Sequence, residues 1–358
     1  MPPDGPYGWS HDGDEGTAAW RLAARAFAAA VASGRLEVPL PGSGATRERW
    51  AAFADLAGED LSLARLGEGH ADAVAILAEI GGPRPDTGDR WGVWAANPPG
   101  TNVTASRKGG AWILRGTKQY CSGARVCTHA LVTAAADDGP RLFAVTVADL
   151  EPLPGSWPAT GMAGSDTLDV GFPGVPAEPV GSPGQYTDRP GFSHGGAGVA
   201  ACWYGGARAV GRTLLGAAVK RDIGPHALAH LGAVDIALHT ARDALARAAD
   251  EIDTDPHDLR GEGAARALRV RSLTEAVTTE VLARTGRALG AGPLSHDEAH
   301  SRAVADLTVY LRQHHADRDL ARLGELVATG GRSGLAGWGN TGGGSGLAGR
   351  GNTGGDGW

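Results

Sequence analysis

The sequence predicts an α+β fold of three parts: an N-terminal α-helical domain, a middle antiparallel β-domain and a C-terminal four-helix bundle. Three observations predict it. An Ala- and Leu-rich first stretch carries helix stops at Gly34 and Gly81-Gly82-Pro83. From Trp91 the composition changes to short β-type runs separated by Gly, Pro and Asn. After Pro190 apolar residues recur at helical spacing over long stretches. These shifts divide the chain into 17–88, 89–190 and 191–329, with 1–16 and 330–358 as flexible ends.

Residues 1–16, rich in Pro, Gly and Asp, offer little apolar surface to offset the entropy of ordering. Residues 17–33, with Leu22, Phe27 and Val31 in an Ala-rich run, fit a helix that Gly34 ends. A second helix is expected over 46–56, and a third, or a broken pair, over 60–80. In the middle region GVWAAN, AWILR, HALVTAAA, RLFAVTV and LDVGF read as short strands, and Asp137-Asp138-Gly139-Pro140 as a hairpin turn. The run WILRGTKQYCSGA over 112–124 reads as strand, turn at Arg115-Gly116-Thr117, and strand. Four helices follow over 198–221, 226–252, 264–289 and 298–327, with stripes such as Val304, Leu307 and Leu311 that would be buried together as an antiparallel bundle. The end of the chain repeats SGLAGWGNTGG as SGLAGRGNTGG, too rich in Gly to build a core.

At 358 residues, 42% hydrophobic and 20% charged, the chain is long enough for two or three packed substructures. A formal net charge of −7 argues against nucleic acid as a partner. No apolar run reaches bilayer length and the first residues lack a basic and apolar leader, so no membrane is expected and a cytoplasmic location is. Cys121, Cys127 and Cys202 form no C-x-x-C pair, so neither a disulfide framework nor a cysteine metal site is implied. The G-x-G-x-x-G match at 344–349 has no strand before it, and the G-x-S-x-G match at 191–195 follows no buried strand, so neither carries its usual chemistry. His226 and His230 stand four apart without the intervening Glu of a zincin, which reads as a structural pair.

WILRGTKQYCSGA resembles the W-x-L-x-G-x-K-x-(F/W)-(I/V)-(T/S)-(N/G)-(G/A) signature of the middle domain of acyl-CoA dehydrogenases, and TGMAGSDTLDVGFPGVPAEPVGSPGQY resembles that family's G-M-x-x-S-D-T segment. With weaker agreement at both ends the resemblance covers residues 17–328. It implies the acyl-CoA dehydrogenase-like fold, FAD as cofactor, a homodimer or homotetramer, and α,β-desaturation of a small-molecule substrate such as an acyl-CoA. The alternatives are a flavin-dependent monooxygenase of the same fold and a non-catalytic binding descendant.

By the same resemblance Tyr120, Cys121 and Ser122 take the place of the family's aromatic-aliphatic-hydroxyl triplet, with Ser122 near flavin N5. Ala96 and Asn102 stand where the family has a Thr and a Ser on the other flavin edge. Lys220 stands for an Arg that reaches the FAD diphosphate of a neighbouring subunit. The family's catalytic Glu is absent: Val309 to His315 offers no carboxylate, and the segment looks closer to related monooxygenases, which carry an Asp followed by a His. On a continuous helix Asp306, Tyr310 and His314 fall at successive i+4 positions on one face, an Asp-Tyr-His row able to line a cavity; the competing reading is an Arg302–Asp306 surface pair beside a solvated His. Glu68 and His70, on the third helix, read as a solvated Glu and a satisfied helix His, with a ligand-facing role as the alternative. If desaturation requires a replacement base, Glu68 and Glu325 are the candidates.

Overall fold

A computed structural model of the chain describes residues 15–100 and 102–330. The expected flexible stretches up to residue 14 and from 331 lie outside the described residues. Three helices come first, α1 (Glu15–Ala32), α2 (Thr46–Glu59) and α3 (Leu61–Ile80). The Asp60 side chain caps α3 by accepting from Leu63 N, and α3 is one unbroken helix. Its face from Leu61 to Leu77 is buried against α1, α2 and the sheet that follows.

Seven strands form one sheet: β1 (Trp91–Trp94), β2 (Val103–Lys108), β3 (Ala111–Cys121), β4 (His129–Ala136), β5 (Gly139–Thr146), β6 (Glu151–Leu153) and β7 (Leu168–Val180). Strands β4, β2, β3, β7 and β5 close on one another, because β5 pairs with both β7 and β4, and form a five-stranded barrel. Closure leaves few edges exposed. The barrel is not wholly antiparallel as expected: β4 runs parallel to β1 and touches β2 in parallel register.

The expected turn at Arg115-Gly116-Thr117 is absent. Gly116 instead lies inside the continuous strand β3, next to a register shift against β7, at φ 126°. A Cβ there would stand 2.2 Å from the Asn102 carbonyl oxygen, so the glycine serves close approach of β2 and not chain reversal. The reversal lies earlier, at Gly109-Gly110 between β2 and β3.

The remaining chain is helical: α4 (Gln185–Asp188), α5 (Pro190–Lys220), α6 (Gly224–Thr254), α7 (Gly263–Leu289), α8 (Gly292–His296), α9 (Glu298–Tyr310) and α10 (Asp317–Ala328). Helix α5 is the centre, packed on α2, α6, α7 and α9. Where it crosses α2 a Cβ on Gly205 would fall 2.1 Å from Ala54 O, so the two backbones touch. The helix expected over 298–327 is broken. A 3-10 turn spans Leu311–Gln313, His314 is extended and Ala316 takes φ 49° before α10 begins.

Candidate active site

A cavity of about 280 Å³ opens where α3, the barrel rim and the C-terminal helices meet. That volume lies near the lower end of small-molecule sites. Arg65, Glu68 and Asp72 line it from α3, since spacings of three and four place them on one helix face.

The barrel wall is built by the end of β3. A register shift between Lys118 and Cys121 accompanies φ 60° at Tyr120, an uncommon conformation for an aromatic residue. Tyr120 is exposed, lines the cavity and stands edge-on to Trp157, with ring centroids 6.4 Å apart. Cys121 is fully buried behind it and Ser122 returns to the cavity.

Ser122 belongs to a chain of hydroxyls. Ser165 Oγ donates to Met162 O at 2.7 Å and lies 2.8 Å from Thr167 Oγ1, which lies 2.9 Å from Ser122 Oγ. Because each hydroxyl has one proton, Thr167 donates to Ser165 and Ser122 to Thr167. Ser122 is left with acceptor capacity. The loop carrying Ser165 holds Met162 and Asp166 at φ 58° and 48° and is tied down twice. The Asp166 carboxylate accepts from the backbone and guanidinium of Arg125, and Met162 N donates to Asp306 Oδ1 at 2.5 Å.

The opposite wall carries charge. Glu68 is buried, not solvated as expected, and Arg65 Nη1 donates to its Oε2 at 2.6 Å. Burial pushes its carboxyl up to about 7, against the pull of Arg65. Asp72 Oδ1 accepts from the buried Arg49 at 3.1 Å. Tyr310 lines the same cavity, and its hydroxyl is buried beside the Cys202 thiol, without a nitrogen or oxygen partner among the described residues. His70 is the satisfied helix histidine expected, with Nδ1 accepting from Trp91 N at 3.2 Å.

The Asp306-Tyr310-His314 row does not form. Asp306 is buried on α9, where burial raises its carboxyl to about 6, and it fixes the Met162 loop without lining the cavity. Nor does it pair with Arg302, which reaches Asp60 instead at 3.4 Å. His314 follows the helix end. Its Nε2 meets Ser272 Oγ at 2.9 Å, its Nδ1 accepts from Ala316 N at 3.2 Å, and burial lowers its pKa, so it is a neutral, occupied ring outside the cavity lining. Ala96 lines the cavity. Asn102 does not, and Lys220 is exposed at the end of α5, also outside the lining.

The sequence reading passed over Arg65, Asp72, Trp157 and Thr167, which line the cavity, and Lys118 behind it. The Lys118 ammonium is buried on β3 and donates to Asn97 Oδ1, Thr133 O and Thr133 Oγ1 at 2.5–2.9 Å, which ties the segment after β1 to the barrel. Burial lowers its pKa to about 8. The signal was present as a lysine in an otherwise apolar strand face.

No family model matches the chain, and no curated protein matches it either. Solved structures do. TdsC from Paenibacillus sp. A11-2, solved with FMN and indole, is 18% identical over 88% of this chain and 97% of its own, with a TM-score of 0.68. KijD3, in complex with FMN and a dTDP-amino-keto sugar, is 19% identical over 89% and 94%, with a TM-score of 0.70. The methanesulfinate monooxygenase MsuC from Pseudomonas fluorescens is 18% identical over 87% and 96%, with a TM-score of 0.67. The chain therefore has the fold of the acyl-CoA dehydrogenase-like flavin enzymes.

Proposed function

We propose that the chain is a flavin-dependent oxidoreductase acting on a small molecule, with the isoalloxazine ring in the cavity between β3 and α3. The observation that carries this reading is the wall at Tyr120 and Ser122: an aromatic edge beside a hydroxyl whose proton is committed, facing a space large enough for a fused ring. Tyr310 adds a buried hydroxyl whose hydrogen-bonding neighbour is the Cys202 thiol. Tyr120, Ser122 and Ala96 are the residues that would hold the ring, and Lys220 would serve the diphosphate of FAD in a neighbouring copy of a homo-oligomer. When bound, a flavin supplies two-electron redox chemistry, and this chain's part is to bind, orient and handle protons. FMN stands in two of the similar structures, so FAD and FMN are both to be tested.

Of the finer readings we prefer oxygenation of a small substrate over α,β-desaturation of an acyl thioester. Residues 306–315 bring no carboxylate to the cavity, and MsuC is described as a monooxygenase. The oxygenase reading now rests on Tyr310 as the cavity residue, with Asp306 and His314 holding the segments around it. Desaturation stays as the second reading because Glu68 does bring a carboxylate to the cavity.

Purified protein that binds FMN or FAD and turns yellow is the expected result. A chain that stays colourless with both cofactors would point to the non-catalytic descendant. Anaerobic bleaching of bound flavin by butyryl-CoA would restore desaturation over oxygenation. A cytoplasmic location is part of the proposal; among the described residues no helix is long and apolar enough to cross a membrane.

A further inference from the structure

Among the described carboxylates two line the cavity, Glu68 and Asp72, one turn apart on α3. They are held differently. The Asp72 side chain is 20% exposed and Arg49 donates to it, whereas the Glu68 side chain is 4% exposed and Arg65 holds Oε2. Glu68 Oε1 receives no hydrogen bond from a described residue, which leaves it for the cavity.

We propose that Glu68 is the acid–base group of the cavity and exchanges with the reacting molecule the proton that accompanies its oxidation or reduction, an assignment that rests on the flavin reading above. The step is a proton transfer. The X–H bond of the reacting molecule breaks, its electron pair stays on X and the proton bonds to Glu68 Oε1; the reverse step breaks that O–H bond and returns the proton. Arg65 is the positioning residue, because its grip on Oε2 keeps Oε1 turned to the cavity.

The ionisable groups that act on Glu68 come from six helices: Arg65 and Asp72 on α3, Arg49 on α2, Tyr186 on α4, Cys202 on α5, Arg271 on α7 and Tyr310 on α9. Burial is the strongest influence and raises the carboxyl, Arg65 and Arg49 lower it, and Asp72 raises it again. Both protonation states are then populated at neutral pH, where an acid–base group works best.

The test reads the proton and not turnover. Infrared difference titration of the whole chain should show a carboxylic acid band titrating near pH 7 that Glu68→Gln removes. With FMN bound, the midpoint potential plotted against pH should break near pH 7; the break should be lost in Glu68→Gln and kept, at a shifted pH, in Glu68→Asp. A melting curve identifies a variant that fails to fold, and Glu68→Asp carries the test should Glu68→Gln do so. FMN bound with a break that Glu68→Gln leaves in place would overturn the assignment alone. A wild-type chain that binds neither FMN nor FAD would overturn the flavin reading and the assignment with it.

Discussion

Ser122 is positioned by bonds it makes away from the cavity. Its hydroxyl proton goes to Thr167, so what it offers a bound molecule is a lone pair. On the flavin reading, Ser122→Ala should therefore weaken binding of the reduced flavin by one neutral hydrogen bond, about 0.5–1.5 kcal/mol, and lower the midpoint potential, since an acceptor favours the form carrying the extra N–H. Flavin affinity and potential both equal to wild type would remove Ser122 from the cofactor site. Glu68 permits a prediction about stability that needs no cofactor. Its folded pKa of about 7 stands above the ordinary 4.5, so the folded chain keeps a proton that the unfolded chain releases. Stability should fall as pH rises from about 4.5 to about 7 and stay low above that. The contribution is on the order of 3 kcal/mol, at 1.36 kcal/mol per pH unit. Urea unfolding at pH 5 and pH 8 should show a steeper loss in wild type than in Glu68→Gln, and equal losses would mean that Glu68 is ionised in the folded chain.

At the scale of elements, what the sequence disclosed depended on whether the cause was local. Helix periodicity and glycine stops are local, and α1, α2, α3, α6 and α7 were legible within a few residues of their ends. Gly116 misled because positive φ serves a turn and a bulge alike, and the deciding contact is with Asn102, just before strand β2. The end of α9 was hidden for a similar reason. No Gly or Pro marks the break, and the loop is fixed by His314 accepting from Ala316 N and by the Asp319 carboxylate accepting from His315 N. Its one local sign was the acidic pair Asp317 and Asp319, which suits a helix start. Glu68 carried a fainter sign, the flanking Gly67 and Gly69, small residues suited to a crowded face. The bulge reading predicts that Gly116→Ala costs roughly 2–4 kcal/mol, combining strain at φ 126° with a Cβ 2.2 Å from a backbone oxygen that cannot swing aside. Denaturant unfolding measures it, and a cost below that of an ordinary surface substitution would mean that β3 relaxes around the new methyl.

For the whole molecule, the flavin reading requires groups beyond the cavity to meet the outer part of the proposed cofactor. The cavity accounts for a ring system, and among the residues that line it Arg65 is the sole cation. Arg65 is already engaged with Glu68. Lys220 is exposed at the end of α5, beside Val219, which is 79% exposed, and one turn beyond the exposed Leu215. Apolar side chains so exposed on a long helix suit a contact with a second copy, and such a contact would carry Lys220 to a neighbour's cofactor. If so, FAD with its diphosphate should depend on Lys220 and on assembly, while FMN should depend on neither. Lys220→Glu should lower FAD affinity by about tenfold or more, the scale of one lost charge-assisted contact and a repulsive replacement, and leave FMN affinity unchanged. Val219→Glu should convert the oligomer to monomers in light scattering and produce the same selective loss of FAD. Equal loss of both cofactors in Lys220→Glu would instead place Lys220 in the support of its own chain's cavity, and no loss of either would take it out of the cofactor site.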